Sequence, residues 1–365
     1  MCTAAPAAAA QRRPHLFSPA NPPSTLAPSP PQVGVLKARQ LAARHRLRLV
    51  HVHHMEAHAL VARMAAGGGR GGEESVTAGA EGDAAAPAAP PPPAFPFLCL
   101  LVSGGHNLLL LVRGVGDYVQ LGSTLDDALG EAYDKVARML GLGLDPSGGA
   151  ALEACARAGR PDRFRFAVPM RKHANCDFSY AGLKTSARMA IEAELGPGAA
   201  ANIAPDNAAA LQTRADLAAS FQAVAVQHLC ERTARGIEWS REMEPRVRTL
   251  VVAGGVAANA LVRSRLAGVA AAGGLELVVP PPAYCTDNGA MVAWAGLERL
   301  ALGDSLPPPA SEAPAEGEWI DLRPRWPLTS ERHARSMQAP LSARKERMHA
   351  ALSDAKPAAA GVPQL

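Results

Sequence analysis

The segment "TLVVAGGVAANALVRSRL", Thr249 to Leu266, is a β-type apolar run that stops at a glycine pair and continues at once with helical spacing. The arrangement recurs. "FLCLLVSGGHNLLLLVRG" reads as two strands around Gly104-Gly105, and "LELVVPPPAYCTDNGAMVAWAGLERLALG" reads as strand, loop, helix. Between these lie amphipathic helical stretches: "STLDDALGEAYDKVARMLGL", with Ser123 or Thr124 placed to cap it, "DFSYAGLKTSARMAIEAEL", and "ADLAASFQAVAVQHLCERTARGIEW". Strands alternating with helices, with glycine pairs at strand ends, specify α/β architecture.

The ends of the chain read differently. Residues 1–32 are rich in Pro, Ala and Ser and bury little, so a disordered leader is expected there. No Asp or Glu precedes Glu56, whereas seven Arg and Lys residues do, from Arg12 to Arg48. An acid-free, Arg-bearing start fits either an organellar transit peptide or a merely disordered leader. Residues 33–64 then read as helix ("VGVLKARQLAARHRL"), a short strand ("RLVHV") and a second helix ("HHMEAHALVARM"). Residues 65–94 form a low-complexity insertion, and 304–365 a Pro-rich, flexible tail.

Composition narrows the function classes. The six cysteines are scattered and form no CxxC pair, so neither a zinc finger nor a disulfide framework is supported and a reducing compartment is the default. No apolar run is long enough to span a membrane, which needs about 18 to 20 residues. A net charge of +4 permits a polyanionic partner without demanding one. Arg157, Arg160, Arg163, Arg165, Arg171 and Lys172 form a basic run that either meets nucleic-acid phosphate or is a solvated surface.

Three glycine pairs stand out: Gly104-Gly105, Gly148-Gly149 and Gly254-Gly255. Lacking Cβ atoms, such pairs let backbone N–H groups approach a phosphate or carboxylate, although a tight turn alone also uses Gly-Gly. None belongs to a P-loop or a GxGxxG motif, and "GLKTS", Gly182 to Ser186, is no Walker motif. On the following helical stretch Asp127, Glu131 and Asp134 share one face, near Asp126 and Lys135. They suit either a solvated face or a carboxylate reaching a ribose hydroxyl.

"HVHHMEAH" places four histidines in eight residues. His54 and His58, at i and i+4, lie on one helical face and can grip one cation. Glu56 is about 200° round the helix from each and points away, unlike the glutamate of an HExxH peptidase. His51 and His53 have no assigned role. A third ligand has to come from elsewhere, and Asp287 in "CTDNGA" is one candidate among many.

"HHMEAHAL", "LLVSGGHN", "LDDALGEAYDKVARMLGL", "PSGGAALE", "NCDFSYAGLKTSARMAIE", "VVAGGVAAN" and "CTDNGAM" occur in this order. Together they resemble the TsaD family of tRNA adenosine threonylcarbamoyltransferases, once mislabelled endopeptidases, and most nearly its organellar branch. The resemblance runs from about Val33 to Gly303, outside the insertion. It implies an actin/Hsp70-like (ASKHA) fold of two α/β lobes, with 95–303 as second lobe and nucleotide-binding core. It implies transfer of a threonylcarbamoyl group from threonylcarbamoyl-adenylate to the adenosine 3′ of the anticodon in tRNA. His54, His58 and Asp287 would then ligate one divalent metal ion, Fe or Zn. Leu101, Val102, Ser103, Gly104 and Gly105 would contact the acyl-phosphate side of the adenylate. Asp134, Gly149 and Asn259 would hold the nucleotide, with Glu153 a further candidate. A homodimer and a mitochondrial location, with plastid as alternative, go with the same resemblance.

Two departures accompany it. The family pattern opens with a strand containing Glu-Thr-Ser-Cys and further first-lobe sheet, to which residues 1–32 have no counterpart. The first lobe is therefore incomplete in this sequence, and 33–64 is its remnant. Truncation of the sequence is the expectation, because every downstream motif position is intact; the alternative is a non-catalytic nucleotide-binding or scaffold protein. The second departure is Ser147, where Pro-Gly-Gly is usual in the family. A zinc metallopeptidase is the remaining alternative, disfavoured by the direction of Glu56.

Overall fold

A computed structural model describes residues 30–67, 91–198, 202–313 and 327–336. Most of the expected leader, insertion and tail lies outside these described residues. The chain divides into two compact units, one comprising Met1–Leu49 with Pro307–Pro324 and the other Val50–Leu306 with Arg325–Leu365. Within the first, helix α1 (Pro30–Arg44) ends where Arg44 makes a two-pronged, exposed ion pair with Glu312 at 3.0 Å.

The larger unit is α/β, in agreement with the sequence reading and in class with the expected lobe. Strands β1 (Phe97–Val102), β2 (Asn107–Gly114) and β3 (Asp117–Ser123) form an antiparallel meander, and β4 (Thr249–Ala253) and β5 (Glu276–Val278) add in parallel. The order is β3-β2-β1-β4-β5. Every residue of β1 is buried because both faces of the sheet are covered. Leu98, Leu100 and Val102 point into a core shared with helices α3 (Leu129–Met139), α4 (Gly148–Ala156), α5 (Ala181–Leu195), α6 (Ala208–Met243) and α7 (Ala260–Ala272). Phe97, Cys99 and Leu101 point the other way, against α2 (His54–Gly67) and Met291 and Ala295 of α9 (Gly289–Ala301). One short turn, α8 (Pro282–Cys285), precedes α9.

Burying every residue of this six-residue strand contributes roughly 1.5–3 kcal/mol per large side chain, before the entropy of ordering the chain is subtracted. The close approach of the chain after β4 to the end of its neighbour β1 depends on Gly254, at φ +99, where a Cβ would lie 2.3 Å from Val102 O. No L side chain fits there, which explains the first glycine of that pair.

Two sequence expectations about local structure change, the strand at "RLVHV" and the cap at Ser123 or Thr124. "RLVHV" forms no strand: among the described residues Leu49 makes a single bridge, and a strand needs a ladder to persist. The helix expected from Ser123 or Thr124 begins at Leu129, with Ala128 as an N-cap that makes no side-chain bond. Ser123 is the buried last residue of β3, and Thr124 Oγ1 instead donates to Asp127 O at 2.7 Å. The helix carrying the histidine pair, read as part of a first-lobe remnant, shares a core with β1 and α9. Residues 327–336, read as part of a flexible tail, lie along β3. Gln120 bridges to Arg332, Thr329 Oγ1 donates to Tyr118 O at 2.8 Å, and His333 stacks on Trp239 at 4.0 Å.

Candidate functional site

His54 is the first residue of α2, and His58 lies one turn on. The start of the helix is fixed by His53, whose Nδ1 accepts the Met55 N–H at 3.0 Å, so an imidazole does the work usually given to Ser or Asp. Histidine is an unusual cap, and nothing in the sequence flagged it. Asp287 sits between α8 and α9. Asn288 Oδ1 accepts the Met291 N–H at 2.8 Å and so caps α9 immediately after it.

These elements bring the three candidate ligands together. His58 Nε2 is 2.9 Å and His54 Nε2 3.3 Å from Asp287 Oδ1, and the two rings are nearly perpendicular with centroids 4.8 Å apart. One donor atom from each residue lies within 4.8 Å of the others. His58 is buried, while His54 and Asp287 face solvent. Burial, helped by the neighbouring His54, pushes the His58 pKa below the ordinary histidine value against the opposing pull of Asp287. Its imidazole is thus neutral at pH 7, the form that ligates a metal. Two imidazoles and a carboxylate converging with one side open to solvent fit a borderline divalent cation.

Glu56 is fully buried on the other side of α2. Its Oε1 accepts from the Gly116 N–H (3.0 Å) and the Tyr118 hydroxyl (2.6 Å), and its Oε2 from Arg299 Nε (2.5 Å). With both oxygens occupied it is not available to activate a water at the histidines, which removes the geometric basis of the peptidase alternative.

A cavity of about 340 Å³ adjoins the cluster through consecutive residues, since Thr286 lines the cavity and Asp287 belongs to the triad. Its wall includes Gly104, Asp134, Gly149, Glu153 and Asn259, all singled out in the sequence. Each of the three glycine pairs contributes one residue, namely Gly104, Gly149 and Gly255. Asp134 Oδ1 accepts the Gly149 N–H at 3.2 Å, setting a carboxylate against the N-terminus of α4. That approach requires Gly148, where a Cβ would lie 2.6 Å from the same Asp134 oxygen. Asn259 caps α7 through Val262 N (3.0 Å), and Glu153 accepts the first helical N–H, from Ala260, at 3.0 Å.

Other candidates lie elsewhere. Leu101 and Val102 are buried in opposite cores and are not on the cavity wall. Ser103 is also absent from the wall; its Oγ accepts the His106 N–H at 3.1 Å and shapes the Gly104-Gly105 turn. Gly105 is exposed.

The acidic face divides as well. Asp126 accepts the Tyr180 and Ala181 N–H groups at 2.8 and 3.2 Å, anchoring the start of α5. Asp127, ahead of α3, is bonded by Lys135 (2.8 Å) and by Lys184 of "GLKTS". Burial opposes its ionisation, but the two ammonium groups outweigh it and hold its pKa below the ordinary carboxylate value. Glu131 pairs with Lys135 at 2.7 Å, and only Asp134 reaches the cavity. Gly130, Tyr133, Ser147 and Thr286 are wall residues that sequence reasoning did not name as such. The glycine in the middle of the "DALGEAY" helical pattern was the one available signal.

Residues 77–294 match the family model for TsaD, tRNA N6-adenosine threonylcarbamoyltransferase. The chain is 46% identical over 323 residues to a probable mitochondrial tRNA N6-adenosine threonylcarbamoyltransferase of Arabidopsis thaliana, covering 88% of this chain and 62% of that protein. It is 41% identical over 296 residues to the tRNA N6-adenosine threonylcarbamoyltransferase of Paramagnetospirillum magneticum, covering 81% and 72%. The chain thus spans about two thirds of the length of these relatives. Among solved structures, HypF of T. kodakarensis superposes with a TM-score of 0.40 at 17% identity over 57% of this chain and 34% of that one, too slight a likeness to bear on the site. With a match that includes the Gly104, Gly149 and Gly255 turns and Asp287, the chain belongs to the TsaD family.

Proposed function

We propose that the site transfers a threonylcarbamoyl group from threonylcarbamoyl-adenylate to N6 of an adenosine in tRNA. The observation that carries this reading is the adjacency of the His54–His58–Asp287 cluster to a cavity walled by one glycine from each pair, Asp134 and Asn259. In the reaction the N6 nitrogen forms a bond to the carbamoyl carbon, the bond from that carbon to the phosphate oxygen breaks, AMP leaves, and N6 gives up a proton. An acyl-adenylate is already activated, so orientation and charge neutralisation suffice without a protein nucleophile.

The residues divide the work. Asp134 presents a carboxylate to ribose hydroxyls, and Gly149 and Gly255 let the nucleotide approach the backbone. The Gly104-Gly105 turn, shaped by Ser103, faces the acyl-phosphate end through main-chain groups. His54, His58 and Asp287 would hold one divalent ion, Fe or Zn, which when bound would supply Lewis-acid stabilisation of developing negative charge. tRNA and the adenylate are the partners, a homodimer is the proposed assembly, and the mitochondrion is the proposed location, supported by the Arabidopsis relative's name, with the plastid as alternative. Among the described residues no helix is long and apolar enough to cross a membrane.

Purified chain, supplied with the adenylate and tRNA, is expected to yield threonylcarbamoyladenosine by mass spectrometry of digested nucleosides. His54→Ala with Asp287→Ala is expected to lose both the bound metal and the product. Unchanged metal content in that double variant sinks the ligand assignment. Absence of product from metal-loaded wild type, with the adenylate bound, favours the non-catalytic reading.

A further inference from the structure

Helix α6 carries Asp216, Ser220, His228 and Arg232 along one i+4 ridge, with Val224 filling the gap between Ser220 and His228, and all four polar residues are buried. Such a row on a 36-residue helix is costly unless each group is partnered, and the partner here is one segment, residues 158–180. Asp216 Oδ1 accepts the Arg160 N–H at 2.8 Å. Ser220 Oγ accepts the Phe164 N–H and donates to Arg160 O, both at 3.2 Å. His228 Nε2 accepts the Ser179 N–H at 3.2 Å. Arg232, 1% exposed, donates to the carbonyls of Met170, His173 (2.6 Å) and Asn175 (2.8 Å). Arg235 adds a further bond to Asn175 O at 2.8 Å. A loop fastened at so many main-chain points is a fixed surface.

What that surface displays is positive charge. Arg157, Arg160, Arg163, Arg165, Arg171 and Lys172 are all exposed, and Asp162 is the lone acid from 157 to 173. In "RFRF" the phenylalanines Phe164 and Phe166 pack on the core while Arg163 and Arg165 point outward. Met170 adopts φ +51, a left-handed conformation that a residue of its size rarely takes. Arg232 holds its carbonyl, and the strained turn presents Arg171 and Lys172 to solvent. Arg160 pairs with Asp216 at 3.4 Å and Arg157 lies 3.9 Å from Glu153. Among the described residues no carboxylate pairs with Arg163, Arg165, Arg171 or Lys172.

The loop begins at the C-terminal end of α4, whose first turn lines the cavity through Gly149 and Ala150 and whose Glu153, one turn before Arg157, lines it too. Nine residues of helix span about 13 Å. A cationic surface is therefore held one short helix away from the proposed site.

We infer that the α6-stapled loop, residues 157–173, is a preorganised phosphate-binding platform that grips the tRNA backbone on either side of the adenosine entering the cavity. The inference rests on the transferase reading for its partner and goes beyond it by assigning the contact surface. No Phe, Tyr or Trp is exposed among these residues and His173 is the one exposed ring, so the contact is chiefly to phosphate and largely insensitive to sequence.

The test is tRNA binding by fluorescence anisotropy across a salt series, comparing wild type with R163Q/R165Q/R171Q/K172Q. The control R138Q/R188Q/R246Q/R265Q removes the same charge from exposed positions elsewhere. Loss of four phosphate contacts is expected to lower the salt slope by about 3 and affinity by roughly tenfold or more at low salt, with the control close to wild type. AMP binding and metal content, measured on the same samples, are expected to be unchanged in both variants. Equal loss in the control, or an unchanged slope in the loop variant, overturns the platform. A wild-type chain that binds tRNA through these residues yet forms no product retains the platform and loses the transferase reading. No binding of tRNA by wild type at any salt removes both.

Discussion

Arg299 Nε meets Glu56 Oε2 at 2.5 Å, a buried ion pair between the last turn of α9 and the first turn of α2. The same two helices carry the candidate ligands: His54 and His58 on α2, and Asp287 just ahead of α9. Glu56 lies between the histidines in sequence and on the opposite side in space. It therefore acts as a clamp that fixes the angle at which the ligand pair meets Asp287. Arg63 and Glu298 repeat the clamp at 2.8 Å, with Trp294 Nε1 also donating to Glu298 at 2.8 Å.

Glu56→Ala leaves Arg299 and the Tyr118 hydroxyl without their buried partner, and such a loss costs about 3–5 kcal/mol. Urea unfolding is expected to show that loss. Metal affinity is expected to fall less than in Asp287→Ala, because all three ligands remain. Stability within about 1 kcal/mol of wild type would contradict the clamp.

Ser147, a departure from the Pro-Gly-Gly that the sequence resemblance implies, caps α4 by accepting the Ala150 N–H at 3.2 Å. Ser147→Ala is expected to cost about 1 kcal/mol and Ser147→Gly only a few tenths. Thermal unfolding of the pair checks this order. Equal effects of the two would show that the hydroxyl contributes nothing.

Gly148→Ala puts a methyl group against the Asp134 carboxylate, 2.6 Å from its Oδ1. AMP affinity is expected to drop about tenfold by calorimetry, a displacement of the nucleotide contact worth about 1.4 kcal/mol. Metal content should be unaffected, since the triad is on other elements.

His228 is fully buried against Phe178 and Tyr180, and burial, with Arg232 nearby, lowers its pKa to about 3. The unfolded chain binds this proton near pH 6.5 and the folded chain does not. Stability is therefore complete above about pH 6.5 and falls as pH drops through that value toward 3, by up to about 1.4 kcal/mol per unit. His228→Gln is expected to flatten the stability profile over that window. An unchanged slope would place the acid sensitivity elsewhere.

How much of this was readable beforehand depended on which force fixed each element. "FLCLLV" and "TLVVAGG" announced buried strands because burial on both faces leaves no room for polar residues. The glycine pairs beside the cavity were visible as pairs, and in two of them one member, Gly148 or Gly254, sits where a Cβ would clash with Asp134 or Val102. His54, His58 and Asp287 could be paired only through the family's motif order, since 229 positions separate His58 from Asp287. Other roles had no local signature. The capping by His53, the clamp of Glu56 and the division of Asp126, Asp127 and Asp134 are each set by partners distant in sequence. "RLVHV" has strand composition, but composition alone supplies no neighbouring strand.

The segment 327–336 along β3 has a consequence for solubility. A sheet whose outer strand shows free N–H and C=O groups is adhesive toward any other extended chain. Here Gln120 spends both main-chain groups on the chain's own C-terminal region, its N–H to Glu331 O at 3.0 Å and its carbonyl to His333 N–H at 2.9 Å. Arg113 reinforces this by bonding Glu331. The protein seals that border with itself, so the distal part of the sequence guards against intermolecular strand pairing.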